Sequence, residues 1–171
     1  MTIRPPYADD WAGLAAVAER LRADRARDDA GYVQRQRLTQ QQSDDRARVS
    51  EALAQQWRAI VGHEPIPWLD AGPIEIREDL EGAAKAAARR AAAEPKAVLQ
   101  LGSLQVSYGA FAEAVAALLW QQQPYRDGTD TPRIVFIHTI NMMARAERAA
   151  RPAPPPPALL PAPPLRQSGL L

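Results

Sequence analysis

The chain of 171 residues contains no cysteine and only two histidines. The absence of cysteine excludes disulfide bonds, thiolate zinc sites, iron–sulfur clusters and thiol nucleophiles. His63 and His138 lie far apart in the sequence, and without cysteine they provide no metal-ligand spacing. Glycine-rich phosphate loops and dinucleotide-binding fingerprints are also missing. We therefore expect no metal site, no cofactor and no standard catalytic constellation.

Long apolar runs are missing as well. No run approaches the roughly 20 residues that a membrane-spanning helix needs, and the first residues lack the hydrophobic stretch of a signal peptide. Lysine is scarce, with only Lys85 and Lys96 among 21 basic residues, and alanine is abundant, which together indicate GC-rich coding. We expect a bacterial or phage-encoded protein without a membrane partner, located in the cytoplasm or within a phage particle.

The charge is balanced, with 21 basic and 20 acidic residues and no strongly basic segment. Binding to nucleic acid is driven largely by counterion release at a basic surface, so this balance disfavours a nucleic-acid partner. The exception is the arginine- and glutamine-rich stretch at residues 34–42, whose side chains can contact phosphates and base edges. A nucleic-acid accessory factor that uses Arg35 and Arg37 therefore stays open as an alternative.

Residues 1–62 have apolar side chains at helical spacing, which predicts a helical segment. Asp9 or Asp10 is placed to cap a first helix. Gly31 is predicted to interrupt this helix, and a second helix is predicted over residues 32–42.

A third helix is predicted to begin at Ser43, whose hydroxyl can cap it, and to end at Gly62. The apolar residues that define one face of the first and third helices are Trp11, Leu14, Val17, Leu21, Val49, Leu53, Trp57, Ile60 and Val61.

Residues 63–73 contain three prolines and Gly72, a composition typical of a linker. We expect Trp68 and Leu69 to hold this linker against a core.

Residues 74–150 alternate between strand-like and helix-like patterns, which predicts a small α/β domain. The strand-like stretches are Ile74–Ile76, Val98–Leu101 and Ile134–Ile137. The last is a continuous apolar run of the kind buried on both faces of a sheet. The helix-like stretches are 79–94, 107–119 and 141–150, and residues 121–131 read as a loop.

Two folds remain open, depending on the stretch Leu104–Ser107. If it pairs with the preceding strand through a turn at Gly102 and Ser103, the pattern is a ferredoxin-like split βαβ fold. If it is a loop, the pattern is a small parallel sheet. Both are helix-rich mixed α/β folds with N-terminal helices and a proline-rich C-terminal tail.

The segments Gly-Pro-Ile-Glu-Ile at 72–76 and Ala-Val-Leu-Gln-Leu at 97–101, each followed by a helix, carry a family resemblance. Residues 72–150 resemble the STAS-like module, named from sulphate transporters and anti-sigma factor antagonists. The resemblance implies an α/β fold in which a helix follows an apolar strand after a serine-containing turn. In regulatory members of the family, phosphorylation of that serine releases a partner kinase. Here Tyr108 and Gly109 occupy the two serine positions, so the switch is absent or displaced.

Ser107, His138 and either Asp127 or Asp130 could form a catalytic triad if the fold brought them together. The sequence has no Gly-x-Ser-x-Gly turn to expose the hydroxyl. The competing interpretation, which we favour, is that Ser107 caps a helix and His138 ends a strand. A small hydrolase or transferase is therefore the first alternative function.

The C-terminal residues 151–171 are rich in proline and leucine, and eight of the 16 prolines lie between Pro152 and Pro164. Such a segment favours an extended polyproline II conformation, which loses little entropy on docking. A spacer or disordered end is the other interpretation. The residues predicted to dock a partner are Leu159, Leu160, Pro161, Leu165, Leu170 and Leu171 in the tail, together with Trp11 and Trp57.

These observations favour a non-catalytic protein–protein interaction or assembly component. Its helices and its proline- and leucine-rich tail would dock a protein partner or a second copy of the chain.

Overall fold

The computed structural model describes residues 4–151, which form five helices and one two-stranded sheet. The helices are α1 (Trp11–Gln34), α2 (Gln40–Gly62), α3 (Pro73–Ala93), α4 (Tyr108–Gln121) and α5 (Arg133–Ala150), and the strands are β1 (Val98–Leu101) and β2 (Leu104–Ser107). A helix-rich mixed α/β fold with N-terminal helices is thus confirmed. The proline-rich tail lies outside the described residues.

The first helix, α1, runs without interruption through Gly31, so the predicted break there is wrong. A glycine inside a helix costs only about 1 kcal/mol, which is too little to end a well-packed helix. Asp10 caps the start, as predicted, by accepting a hydrogen bond from the Gly13 amide at 2.9 Å. The chain turns only after Gln34, and Gln36 adopts a left-handed φ of 56°. The helix predicted over residues 32–42 is therefore also wrong.

The second helix, α2, begins at Gln40 rather than at Ser43. Thr39 and Gln42 form a capping box, in which each side chain accepts a hydrogen bond from the other residue's backbone amide, at 3.1 and 2.8 Å. This reciprocal pair satisfies two amides at the helix start and replaces the predicted serine cap. The helix ends at Gly62, as predicted, and His63 follows in a left-handed conformation with φ 55°.

The third helix, α3, begins at Pro73, so the strand predicted at Ile74–Ile76 is wrong. Glu75 accepts a hydrogen bond from the Gly72 amide at 2.8 Å, and proline is well suited to the first helical turn. Ile76 and Leu80, four residues apart, are both buried, whereas Ile74 is exposed. The apparent alternation at residues 74–76 is the first turn of a helix.

The strands β1 and β2 form an antiparallel hairpin, the first of the two alternatives left open for Leu104–Ser107, with Gly102 at a positive φ of 59° in its turn. Leu99 pairs with Val106, and both pack against the core. Ser107 then caps α4, as predicted, by accepting a hydrogen bond from the Ala110 amide at 3.1 Å.

The fifth helix, α5, begins at Arg133 and includes the residues predicted to form a buried strand at Ile134–Ile137. That prediction is wrong because Ile134 and His138, at helical spacing, are the buried pair, while Phe136 is exposed. A run of four apolar residues satisfies either a strand or a helix, and periodicity over so short a run does not separate them. Because two predicted strands are helical, the sheet in the described residues is only the hairpin.

One buried cluster joins the N-terminal helices to the rest of the described chain. Its largest fully buried members are Leu14, Val17, Leu53, Trp57, Ile60, Ile76, Leu80, Val115, Leu118 and Ile134. The linker at residues 63–73 contributes Ile66 and Leu69, which pack against this cluster. Trp68 is 83% exposed, so its predicted role in holding the linker is wrong.

Candidate functional site

The outer face of α5 carries a row of exposed apolar side chains on the side away from the core. Phe136, Ile140 and Met143 recur at steps of four and three residues and are 39%, 48% and 57% exposed. Residues at this spacing lie on one face of a helix. We call these three residues the outer stripe. Exposed large apolar groups that cluster on one face are typical of protein interaction surfaces.

The opposite face of α5 anchors the helix through very few residues. Only Ile134 and His138 are buried among its 18 residues. The Nε2 atom of His138 lies 2.8 Å from the backbone oxygen of Glu64, so the imidazole donates a hydrogen bond to the start of the linker. The second half of the helix extends beyond these anchors and presents both faces to solvent.

The base of the outer stripe is ordered by the preceding loop. The rings of Tyr125 and Phe136 are stacked with centroids 4.1 Å apart and an angle of 2° between their planes. The loop is closed by hydrogen bonds from the Tyr125 amide to the oxygen of Thr131 at 3.1 Å and from the Arg133 amide to the oxygen of Gln123 at 2.9 Å. The aromatic end of the stripe is therefore held in place before any partner binds.

Charged residues lie at the two ends of the outer stripe. Arg133 lies in the first turn of α5, and its guanidinium is 4.1 Å from the centroid of the Trp120 ring. Glu147 lies one turn beyond Met143. Neither residue has an ion-pair partner among residues 4–151. The stripe thus has Arg133 at the end near the core, and Glu147 with the neighbouring Arg148 and Arg151 at its far end.

A shallow apolar pocket of about 340 Å³ lies beside the first turn of α5. The linker contributes Ile66 and Leu69 to its wall, Pro132 lies just before α5, and Val135 lies in the first turn of α5. Gln56 lines the pocket from α2 and accepts a hydrogen bond from Gln122 at 2.6 Å. The pocket is thus an apolar recess beside the first turn of α5, the helix that carries the outer stripe.

A cleft of about 360 Å³ lies between α1 and α3 and is lined by charged side chains. Arg25 donates hydrogen bonds to Asp79 at 2.5 Å and to the backbone oxygen of Arg46 at 3.1 Å. Asp29 accepts two hydrogen bonds from Arg46, at 2.9 and 3.2 Å. These bonds join α1, α2 and α3 through four of the charged side chains that line the cleft. We therefore interpret this cleft as a structural network.

The pKa values around these helices follow their ion pairs. A hydrogen bond from Arg27 holds the pKa of Asp28, at the cleft, below its ordinary value. A hydrogen bond from Arg48 lowers the pKa of Glu75, and the Gly72 amide adds to that effect. The pKa of Glu51 is also lowered: burial acts to raise it, but hydrogen bonds from Arg58 and Gln55 outweigh the burial. All these groups stay ionised at neutral pH; Glu75 joins α3 to α2 through Arg48, and Glu51 joins α2 to α1 through Arg22, whereas the pair of Asp28 with Arg27 lies within α1.

The residues of the alternative catalytic hypothesis have structural roles here. Ser107 caps α4, and His138 bonds to the linker through Nε2. Asp127 and Asp130 lie exposed in the loop before α5. His138 lies within α5 rather than at the end of a strand, so that part of the prediction is wrong.

The arginine- and glutamine-rich stretch does not form one helix. Arg35 and Arg37 lie in the turn between α1 and α2, and the guanidinium of Arg35 is 5.2 Å from the centroid of the Tyr32 ring. A helix that reads a groove of nucleic acid presents its contacts from consecutive turns, and this stretch has no such surface.

The predicted docking residues lie in three different environments. Trp57 is fully buried in the core and presents no surface to a partner, so its proposed role does not fit this structure. Trp11 is half-buried against the core. The six tail residues from Leu159 to Leu171 lie outside the described part of the chain.

Sequence reasoning missed the outer stripe. The signal is present in the sequence, because Phe136, Ile140 and Met143 have helical spacing, but the apolar run Ile134–Ile137 predicts a strand. With a strand at 134–137 and a helix at 141–150, the three residues do not belong to one element, so their shared helical face is not predicted.

No protein-family model, curated protein or solved structure matches this chain. The resemblance to the STAS-like module therefore stays a prediction. Of the strands that carry it, β1 is present, whereas residues 74–76 belong to α3. In residues 4–151, no helix combines the length and apolar character needed to cross a membrane, and no three metal-ligating side chains come together.

Proposed function

We propose that this chain is a non-catalytic docking component that contacts another protein surface through the outer stripe of α5. The observation that carries the proposal is the exposure of Phe136, Ile140 and Met143 on one face of a helix whose opposite face is anchored by two residues. An amphipathic helix with an unpartnered apolar face binds by placing that face against a complementary apolar surface.

The structure of the stripe suits binding rather than core packing. The stack of Tyr125 on Phe136 orders one end, so little conformational entropy is lost there when a partner docks. Ile140 and Met143 extend the stripe, and methionine adapts readily to a contacting surface. The partner's contacting surface must itself be apolar, because the stripe offers few hydrogen-bonding groups.

Site-specific photo-cross-linking in the cells of origin tests the proposal. A photoreactive amino acid at Met143 should give a discrete covalent adduct, whereas the same group at exposed Arg145, on another face of α5, should not. Equal adducts at both positions, or none at Met143, would contradict docking through the stripe. Circular dichroism of both variants checks that the helices are retained.

A further inference from the structure

We infer that the apolar pocket beside the first turn of α5 is the docking site of the chain's own tail, residues 152–171, with Leu159 and Leu160 as its anchors. The chemistry of the pocket wall and the composition and length of the tail support this pairing. The contact is separate from the outer stripe, so neither it nor the proposed function depends on the other.

One polar side chain in the pocket wall lacks part of its hydrogen bonding. Gln56 is only 2% exposed, and its Oε1 accepts the hydrogen bond from Gln122. Its Nε2 donates to no acceptor among residues 4–151, yet this atom is not sealed off by the surrounding protein, so it meets the open space of the pocket. A largely buried donor without an acceptor costs free energy. The site therefore favours an occupant that supplies an acceptor.

The remainder of the wall defines what else the occupant must be. Ala71, Pro73 and Ile76 complete the apolar surface formed by the linker and the start of α5. Asp130 also lines the pocket, and its carboxylate disfavours an anionic occupant. The pocket thus suits a segment that is apolar, free of negative charge and rich in hydrogen-bond acceptors.

The tail has this chemistry. Eight of the 13 residues from Pro152 to Pro164 are proline, which offers a carbonyl acceptor and no amide donor. No charged residue occurs between Pro152 and Leu165, and Leu159 and Leu160 are the first large apolar side chains of the segment. A stretch with many acceptors, few donors and two adjacent leucines matches an apolar wall that holds one unpaired donor.

The tail also has the right length. The 18 residues of α5 span about 27 Å, at about 1.5 Å per residue. The chain leaves α5 at Arg151 with φ −70° and ψ 129°, close to the polyproline II conformation. At about 3.1 Å per residue in that conformation, Leu159 and Leu160 lie about 25 and 28 Å beyond Arg151. A tail that returns over the length of the helix brings both leucines level with its first turn, where the pocket lies.

An exposed tryptophan in the linker adds to this match. Trp68 is 83% exposed and directly precedes Leu69 of the pocket wall. Grooves that bind polyproline II segments present aromatic rings against which prolines pack. The four consecutive prolines Pro154–Pro157 come shortly before the leucine anchors, and Trp68 offers a ring on which they can pack.

Paramagnetic broadening in the full chain tests the contact, because a single engineered cysteine is the only thiol in a chain that has none of its own. A nitroxide attached to Ala158→Cys lies beside the two anchors and replaces neither. The amide signals of Leu69 and Thr131, both in the pocket lining, should lose intensity relative to the same sample after reduction of the nitroxide. Unchanged signals at both residues would overturn the docking site.

Matched tail variants test the anchors without altering the helical core. In the spin-labelled chain, Leu159→Ser together with Leu160→Ser should abolish the broadening, whereas Leu170→Ser together with Leu171→Ser should retain it. Broadening that survives the first pair of substitutions would rule out these leucines as the anchors.

A variant of the wall tests the pocket itself. Val135→Asp places a carboxylate in the apolar wall and should release the tail, so the broadening should disappear. Thr139→Asp, at an exposed position one turn along α5, is the control and should leave the broadening in place. Circular dichroism of both variants checks that the helices are retained. Equal broadening in the two folded variants would contradict docking in this pocket.

A mixed sample separates the chain's own tail from that of a second copy. Isotope-labelled chain without nitroxide, mixed with spin-labelled chain at natural isotope abundance, should show no broadening at Leu69 or Thr131. Broadening in the mixture would assign the pocket to the tail of another copy and overturn docking within one chain. The photo-cross-link at Met143 is a separate readout: an adduct without tail broadening leaves only the proposed function standing, and broadening without an adduct leaves only this inference.

Discussion

The guanidinium of Arg25 lies 2.5 Å from the carboxylate of Asp79 and joins α1 to α3 in a largely buried ion pair, with side chains 8% and 16% exposed. Arg25 also donates to the backbone oxygen of Arg46, so the same side chain reaches α2. Three helices that are separate in the sequence thus meet at one guanidinium.

Removing this guanidinium should destabilise the fold. We expect Arg25→Leu to lower the free energy of unfolding by about 3 kcal/mol, since loss of one member of a buried pair leaves the other charge uncompensated. Urea denaturation followed by circular dichroism measures the change. Arg27→Leu, which removes the pairs that the exposed Arg27 forms with Asp24 and Asp28, is the control and should have a much smaller effect. Similar losses in both variants would show that the buried pair has no special role.

The two faces of α5 should respond differently to the same substitution. Ile134→Ala should lower the free energy of unfolding by about 2–4 kcal/mol, because Ile134 is fully buried and truncating its side chain leaves a cavity. Ile140→Ala should change the stability of the isolated chain little, since Ile140 is about half exposed. Thermal melts at low protein concentration make the comparison. A larger loss at Ile140 than at Ile134 would reverse the assignment of the faces.

Ser107 should affect stability and not chemistry. We expect Ser107→Ala to cost about 1 kcal/mol, because the Ala110 amide loses its acceptor at the start of α4. Ser107→Asp, which can also cap, should recover most of that loss. Hydrolysis of an activated ester by the parent chain that disappears in both variants would instead support the alternative of a serine-dependent enzyme.

Acid should weaken the contact between α2 and the start of α3. The pKa of Glu75 is lowered in the folded chain, chiefly by the hydrogen bond from Arg48, so its stabilising effect is complete above the ordinary glutamate pKa. The effect is lost as the pH falls through the lower, folded-state pKa. Between about pH 6 and pH 3, the melting temperature should therefore fall less for Glu75→Gln than for the parent chain. If the melting temperatures of Glu75→Gln and the parent chain depend on pH in the same way, Glu75 does not contribute to the acid sensitivity of this contact.

The tail prediction can be tested separately from the stripe. If residues 152–171 contribute leucine anchors to docking, a chain ending at Arg151 should bind its partner about tenfold more weakly, since each buried leucine contributes about 1.5–3 kcal/mol. Photo-cross-linking at Met143, compared between the full chain and the chain that ends at Arg151, measures the loss of binding, and sedimentation provides a second measure of association. Unchanged association would show that the tail takes no part.

Features set by neighbouring residues were predictable. The cap at Ser107 lies where it was predicted, the cap at Asp10 is one of the two residues predicted for that role, and the turn at Gly102 matches one of the two alternatives for its stretch; each depends on a few adjacent residues. The helix end at Gly62 belongs to the same group. Glycine and small polar side chains impose these conformations locally, whatever packs around them.

Features that depend on distant contacts were not predictable. The run Ile134–Ile137 suits a strand or a helix, and the buried positions available to Ile134 and His138 favoured the helix. Gly31 remained helical because α1 packs along α2 and is tied to it through Asp29 and Arg46. The buried position of Trp57 likewise followed from how the helices assemble.

The sequence by itself determined the composition of the chain, its helix-rich class and the local signals that begin and end several elements. These depend on side-chain chemistry within one or two turns, which the order of residues specifies directly. Only the tertiary structure decided which side of α5 faces the core and which apolar residues remain exposed. Those outcomes depend on burial among residues far apart in the chain, so the outer stripe emerged only when the helices were packed together.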